Sequence, residues 1–321
     1  MNYATQLRRI EANEGLPYAE AHALMAALLD GGVPELETAA FLTSLNGHDP
    51  GLDGWLGMHA ALAERLPEWR TPDSLYRTVV LPTYHGVREA PHLTPLLALL
   101  LQQFRIPVLI HGVLDGGAGT AAAYVLRELG ILPSTSAAQV NAALVSDGIA
   151  FAPAALLSPG LASLLALRAR IGVEGLASRL ATLVDPLGPR SLRVVPVANA
   201  ASLPPVAALL QAVGGSALLL EGCEGEAFAD PGRRPDMLLV RDGQLERIYE
   251  AQQFSTAPGS LPPSDARATG AWIRRALAEN LPLPMPIRNQ LAVCLFAAGY
   301  TDDLSQARAI TAISGFGRAA A

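Results

Sequence analysis

The stretch VLPTYHGVREAPHLTPLLALLLQQFRIPVLIHGVLDGGAGTAAAYVLRELGI, residues 80–131, reads in order as strand, loop, apolar helix, strand, loop and helix. A short aliphatic run ending at Pro82, a helical run LTPLLALLLQQF and a second aliphatic run IPVLIHG are the succession of a βαβ unit in a mainly parallel sheet. In open α/β sheets ligands bind beyond the carboxyl ends of the strands, where a helix N-terminus favours an anion. Loop 82–90 stands at such a place and offers Tyr84, His85, Gly86, Val87 and Arg88. His85 and Arg88 suit a phosphate contact, yet only Gly86 gives the backbone freedom for close approach, and Pro82 and Pro91 lack N–H donors. Such a loop either binds an anion or simply closes a βα turn.

Outward from this stretch the pattern continues. After helices expected over 92–104 and 119–129 come VSDGIAFAPA, SLRVVPV, a helix over 203–213, SALLLEG, DMLLVRDGQLERIYE and helices over 265–279 and 286–297, with YTDDLSQARAITAISGF closing the fold. Residues 4–66 are helical in pattern, with breaks at Gly31-Gly32 and Asn46-Gly47. PEWRTPDS is the linker out of them. Residues 158–184 return to helix. The expected organisation is a helical domain, 1–66 joined by 158–184, and an α/β domain made of 75–157 and 188–321.

The chain has 321 residues, of which 50% are hydrophobic, 16% charged and 5% aromatic, a globular and not a disordered composition. No apolar run reaches membrane-span length, and the polar start MNYATQLRRIEANEG is no signal peptide. Cys223 and Cys294 lie far apart without metal spacing, so reduced thiols and a cytoplasmic location are expected. The net charge of −6 speaks against a constitutive nucleic-acid binder. However, all 23 basic residues are arginine, the better residue for bidentate phosphate contacts.

Several clusters are candidates for chemistry. His111-Gly112 ends the second strand on the same edge as loop 82–90, either as a contact or as a hydrogen-bonded structural histidine. DGGAGT, 115–120, opens the next helix but lacks the nucleotide-binding glycine spacings. Glu221, Glu224 and Glu226 gather carboxylates for Mg²⁺, unless that loop is merely exposed and acidic. Between Gly160 and Val195, Arg168, Arg170, Arg179, Arg190 and Arg193 outnumber Glu174 and Asp185. The spacing of eleven would let Arg168 and Arg179 share a face if one helix runs through both. The functional reading of that run is a phosphate track; the plain one is ordinary surface arginine.

The order of segments resembles the anthranilate phosphoribosyltransferase superfamily along nearly the whole chain. That family's glycine-rich GTGGD loop, which holds the donor's pyrophosphate, falls on Thr83 to Val87, where only Gly86 matches. Its Asn-x-Ser-Thr falls on His92 to Pro95 and keeps one hydroxyl, Thr94. Its Lys-His-Gly-Asn becomes Ile110-His111-Gly112-Val113. The acceptor-binding arginine matches Arg168, the second arginine becomes Glu174, and the Mg²⁺-binding Asp-Glu pair falls near Ala227-Phe228, one place from Glu226. The resemblance implies the family's α/β fold with a helical domain and a vestigial donor site at Thr83, His85, Gly86, Thr94, His111 and Gly112. Without the glycines the backbone is expected not to close on a pyrophosphate, and anthranilate transfer is expected to be absent.

More specifically, YHGVR, HLTPLLALLL, VLIHGV, LRELGI, EGEAFADPGRRP and AAGYTDDLSQARAI are similar to the YbiB-type branch of that superfamily. This implies a non-catalytic homodimer that binds nucleic acid, DNA in the first instance, independently of sequence and without a cofactor. Arg88, Arg168, Arg170, Arg179, Arg190, Arg193, Arg233 and Arg234 would contact phosphates. The alternative is a phosphoribosyl- or glycosyltransferase with an altered site, for which Mg²⁺ would be needed and Glu224 and Glu226 are the candidate ligands.

Overall fold

The computed structural model describes residues 3–67, 69–172, 175–253 and 261–312. Helices α1 (Tyr3–Glu11), α2 (Tyr18–Leu29), α3 (Glu35–Gly47) and α4 (Gly51–Ala63) lead to β1 (Thr78–Thr83), α5 (Thr94–Gln103), β2 (Val108–Gly112), α6 (Ala122–Glu128), α7 (Ala137–Ser146) and β3 (Ile149–Pro153). The chain continues through α8 (Ala154–Leu157), α9 (Pro159–Ala166), α10 (Arg168–Ile171) and α11 (Leu176–Leu183) to β4 (Ser191–Val197), α12 (Leu203–Val213) and β5 (Ser216–Glu221). Strands β6 (Arg233–Arg234), β7 (Met237–Arg241), β8 (Gln244–Tyr249) and β9 (Gln252–Gln253) precede α13 (Ala266–Ala278), α14 (Met285–Ala298) and α15 (Leu304–Ala312).

The chain divides into two compact units, Met1–Glu68 with Ala154–Pro186, and Trp69–Pro153 with Leu187–Ala321. The first is all helical. Its helices begin at Pro17, Pro34 and Pro50, whose fixed φ suits a helix start. Leu24, Met25, Phe41, Leu45, Met58 and Leu62 are fully or nearly fully buried in it. The returning segment 158–184 forms, among the described residues, three short helices, α9 to α11, and not one. Gly172, left-handed at φ 75°, ends α10 four residues after Arg168. Arg168 and Arg179 therefore do not share a helix face, which corrects the expectation drawn from their spacing. Glu174 lies outside the described residues.

The second unit is built on a seven-stranded sheet in the order β3-β2-β1-β4-β5-β7-β8. From β3 to β5 every pairing is parallel, and β7 and β8 join antiparallel at the edge. Strands β1, β2 and β4 are buried along their whole length because helices cover both faces, which is why they read as mainly apolar runs. Asp242-Gly243, both at positive φ, make the two-residue turn that folds β7 back onto β8. Because β1 pairs with β2 on one side and β4 on the other, the chain leaves the sheet in opposite directions at this point, which opens a crevice beyond the strand ends. Helix α7 is an addition to the expected elements, although Ser136 caps it by accepting from the Gln139 amide, a pattern readable in the residues.

Candidate functional site

The crevice is formed by the loops after β1 and β5. Beyond Thr83 the chain turns at Gly86 (φ 77°), where a Cβ would come within 3.0 Å of Gly116 Cα. This turn aims a series of backbone N–H groups into the crevice. The His85 and Gly86 amides donate to Glu226 Oε1 at 2.8 and 2.7 Å. The Arg88 amide donates to Glu224 Oε2 at 2.8 Å, and those of Glu89 and Ala90 to Glu224 Oε1 at 3.0 and 3.1 Å. Five donors thus close on two carboxylates that lie 134 to 141 residues further along the chain. The backbone does converge on anions here, and these are the protein's own side chains, not a pyrophosphate.

Glu226 is fully buried. Burial alone would raise its carboxyl pKa, but the nearby imidazoles of His92 and His85 and the Gly86 amide outweigh that and hold it at about 2. His92 Nε2 lies 3.5 Å from Glu226 Oε2 and 3.5 Å from Thr83 Oγ1. Glu224 sits at φ 50°, a left-handed backbone that turns its carboxylate back toward loop 88–90. Both oxygens of Glu224 and Oε1 of Glu226 are taken by amides, which leaves Glu226 Oε2, buried without a hydrogen-bond partner among the described residues and 3.5 Å from His92 Nε2, too little for a Mg²⁺ site. Nor do the amides fit a pyrophosphate while the carboxylates hold them. Among the described residues no group of three His, Cys, Asp or Glu is placed to hold a metal.

The glycine-rich loop 115–120 packs on the cradle from behind. Val87 and Thr120 exchange backbone hydrogen bonds at 3.0 and 2.7 Å. Below them, Tyr84 Oη lies 2.7 Å from His111 Nδ1, both side chains fully buried. Burial alone pushes His111 down to about 3, so its ring is neutral, while burial and then the Glu226 charge push the Tyr84 hydroxyl up. His111 is therefore a structural partner and not a surface contact. Gly112 follows because a Cβ there would run into the Thr83 carbonyl. Gly112→Ala should cost about 3 kcal/mol in urea unfolding, since neither strand backbone can yield. Burial also pushes the Cys294 thiol up to about 12 and raises Cys223, which leaves both as inert core thiols.

Sequence reasoning assigns no role in this arrangement to Tyr84, His92 or Gly116. His92 Nδ1, Thr94 Oγ1 and His111 Nε2 are buried without a hydrogen-bond partner among the described residues.

The arginines separate into distinct groups. Arg193 is buried in β4 and donates to the Gly214 carbonyl, so it is not a surface phosphate contact. Arg179 donates to the Leu45 carbonyl with its guanidinium 4.8 Å from the Trp55 ring centre. Arg233 is forked onto Glu221 at 3.0 and 2.8 Å, and Arg170 meets Glu35 at 2.6 Å. Arg168 lines a cavity of about 20 Å³ with Leu42, Leu164 and Ile171. Arg234 stacks on Tyr249 at 4.8 Å. Arg88 and Arg190 are exposed, the latter donating to the Ser74 carbonyl at 3.2 Å. Of the arginines over 168–193 that could form a phosphate track, Arg193 is removed by its burial, whereas Arg179 is exposed although it donates to the Leu45 carbonyl.

Sheet order, helical unit and crevice together define an α/β fold of the anthranilate phosphoribosyltransferase type. The crystal structure of anthranilate phosphoribosyltransferase from Thermus thermophilus superposes with a TM-score of 0.77 at 21% identity, covering 97% of this chain and 93% of that one. The Saccharomyces cerevisiae enzyme in complex with PRPP and Mg gives a TM-score of 0.72 at 12% identity, over 96% and 92% of the two chains. In sequence, anthranilate phosphoribosyltransferase from Synechococcus elongatus (strain ATCC 33912 / PCC 7942 / FACHB-805) is 27% identical over 243 residues, 75% of this chain and 70% of the relative. The protein YbiB of Escherichia coli (strain K12) is 34% identical over 288 residues, 89% of each chain. The chain belongs to the YbiB-type branch of the anthranilate phosphoribosyltransferase superfamily. No protein-family model matches it. Among the described residues no helix is long and apolar enough to cross a membrane.

Proposed function

We propose that this chain is a non-catalytic member of the superfamily that binds nucleic acid through its phosphates, without base preference, as a homodimer. The observation that carries the first half is the pair Glu224 and Glu226 in the amide cradle: a transferase needs those donors for its leaving group, and here they are already spent. The second half is supported by exposed guanidinium groups. Arg88 and Arg190 reach solvent, and the Arg170–Glu35 pair, exposed on both sides, is weak enough to exchange for a phosphate. Exposed Tyr18, Leu36 and Leu52 on the helical unit offer apolar surface to a second copy.

A second reading, a phosphoribosyl- or glycosyltransferase with an altered donor, is favoured by the fold and by the unpartnered polar atoms of His92, Thr94 and His111. Binding of a labelled duplex of about 20 base pairs should weaken steeply with salt, and Arg88→Gln/Arg190→Gln should reduce the log–log slope by about 2. Affinity that ignores salt would overturn the nucleic-acid reading. Stabilisation by phosphoribosyl pyrophosphate that vanishes with a chelator would establish the transferase reading instead.

A further inference from the structure

Far from the crevice in sequence, the end of β8, the first turn of α14 and the helix α15 enclose a cavity of about 290 Å³ lined by Tyr249, Met285, Arg288, Asn289 and Arg308, among others. Its size is at the lower end of small-ligand sites. What distinguishes it is charge. The Arg308 guanidinium lies 4.6 Å from the Tyr249 ring centre, and that of Arg234 lies 4.8 Å from the same ring. Each arginine is positioned by a neutral acceptor through Nε: Arg308 by Tyr249 Oη at 2.9 Å, Arg288 by the Thr311 carbonyl at 2.8 Å, and Arg234 by the Glu250 carbonyl at 3.0 Å. Among the described residues none of the three has a carboxylate partner, whereas Arg9, Arg65, Arg170, Arg233 and Arg275 all do.

In a chain of net charge −6, two guanidinium groups on the Tyr249 ring and a third, Arg288, lining the same cavity, all without an acid partner among the described residues, call for an anion from outside. Arg308 Nη2 also lies 3.5 Å from the Ile248 carbonyl, and the remaining terminal N–H groups of the forks are left for a planar or tetrahedral oxyanion. The rest of the cavity is unlike a bare anion site. Met285, 46% exposed, supplies a soft apolar surface, and Asn289 brings a donor and an acceptor together on one amide. We infer that this cavity binds a nucleotide phosphomonoester, with the phosphate on Arg288 and Arg308 and the base against Met285 and Asn289. The ligand is either a free mononucleotide or the phosphorylated end of a strand. This site uses none of the arginines assigned to duplex binding except Arg234 at its margin.

The test is calorimetric titration of the full chain at low salt with AMP, with a 5′-phosphorylated hexanucleotide and with the same hexanucleotide lacking that phosphate. Saturable binding of AMP, or of the phosphorylated strand alone, identifies the source. Either should fall at least tenfold in Arg288→Gln/Arg308→Gln and persist in Arg88→Gln/Arg190→Gln. Circular dichroism of the first variant checks its fold, and Arg308→Lys, which keeps the charge but loses the fork, should fall between. Absence of saturable binding, equal binding of the unphosphorylated strand, or binding unchanged in the Arg288/Arg308 variant overturns the inference. Loss of duplex binding in Arg88→Gln/Arg190→Gln bears only on the phosphate-track reading, so the two failures are distinguishable.

Discussion

Glu226→Ala should lower the unfolding free energy by about 3–5 kcal/mol and make the remaining stability depend on phosphate in the buffer. The first effect follows because the substitution leaves the His85 and Gly86 amides without an acceptor, and the Glu226 site is fully buried. Water reaching the gap would recover part of the loss. The second follows from the geometry of what remains: amides converging on one point are an anion site once the tethered anion is gone. Phosphate or pyrophosphate at about a hundred times its dissociation constant would return about 2.7 kcal/mol. Glu226→Gln keeps a carbonyl oxygen in place of Oε1, so it should cost less and show little phosphate response. Denaturant unfolding of the three proteins with and without phosphate measures all of this. A Glu226→Ala protein as stable as the parent, or indifferent to phosphate, would show that the carboxylate does not fill an anion cradle.

Acid should unfold the protein in two overlapping stages. His111 is held neutral at about 3 against an ordinary 6.5, by burial. The unfolded chain therefore takes up this proton first. The stability that His111 contributes is complete above pH 6.5 and is lost as pH falls from there toward 3, at up to about 1.4 kcal/mol per pH unit and about 4–5 kcal/mol in total. Glu226 is held at about 2 against an ordinary 4.5, so its contribution is complete above pH 4.5 and disappears between there and 2, about 3 kcal/mol in all. Unfolding free energies measured from about pH 7.5 down to about pH 3.5 should decline slowly and then faster. In His111→Asn the decline between 6.5 and 4.5 should flatten, while Glu226→Gln should flatten only the lower stage. A parent and His111→Asn that fall in parallel across the upper range would refute the buried neutral imidazole.

Much of the fold is legible in the residues because local signals and tertiary packing agree. SLRVVPV is β4 to the residue, since a strand covered on both faces is mainly apolar, with Arg193 as the exception held by the Gly214 carbonyl. The helix expected over 203–213 is α12, with prolines in its first turn and Gly214 just past its end. The block 158–184 is harder. Its composition is helical, but Gly172 and Gly175 interrupt it, and the spacing of its arginines carries no information once the helix stops. The crevice is half legible. Position and loop type point to an anion, and the acidic run EGCEGE stands out, but as a metal candidate. Nothing local joins Glu226 to His85 and Gly86 across 140 residues; only the sheet order does, which sets β5 one strand beyond β4 from β1. Likewise, the burial of Arg193 is a matter of strand phase and of the cover over that face, whereas a charge count treats every arginine alike.

A covalently attached carboxylate differs from a bound substrate in one further respect: it can be neither depleted nor outcompeted at ordinary metabolite levels. An enzyme whose cradle stands empty between turnovers gains rigidity only when its cell supplies the ligand. This chain carries that reinforcement in its own covalent structure, so its folded lifetime should stay constant through starvation or plenty.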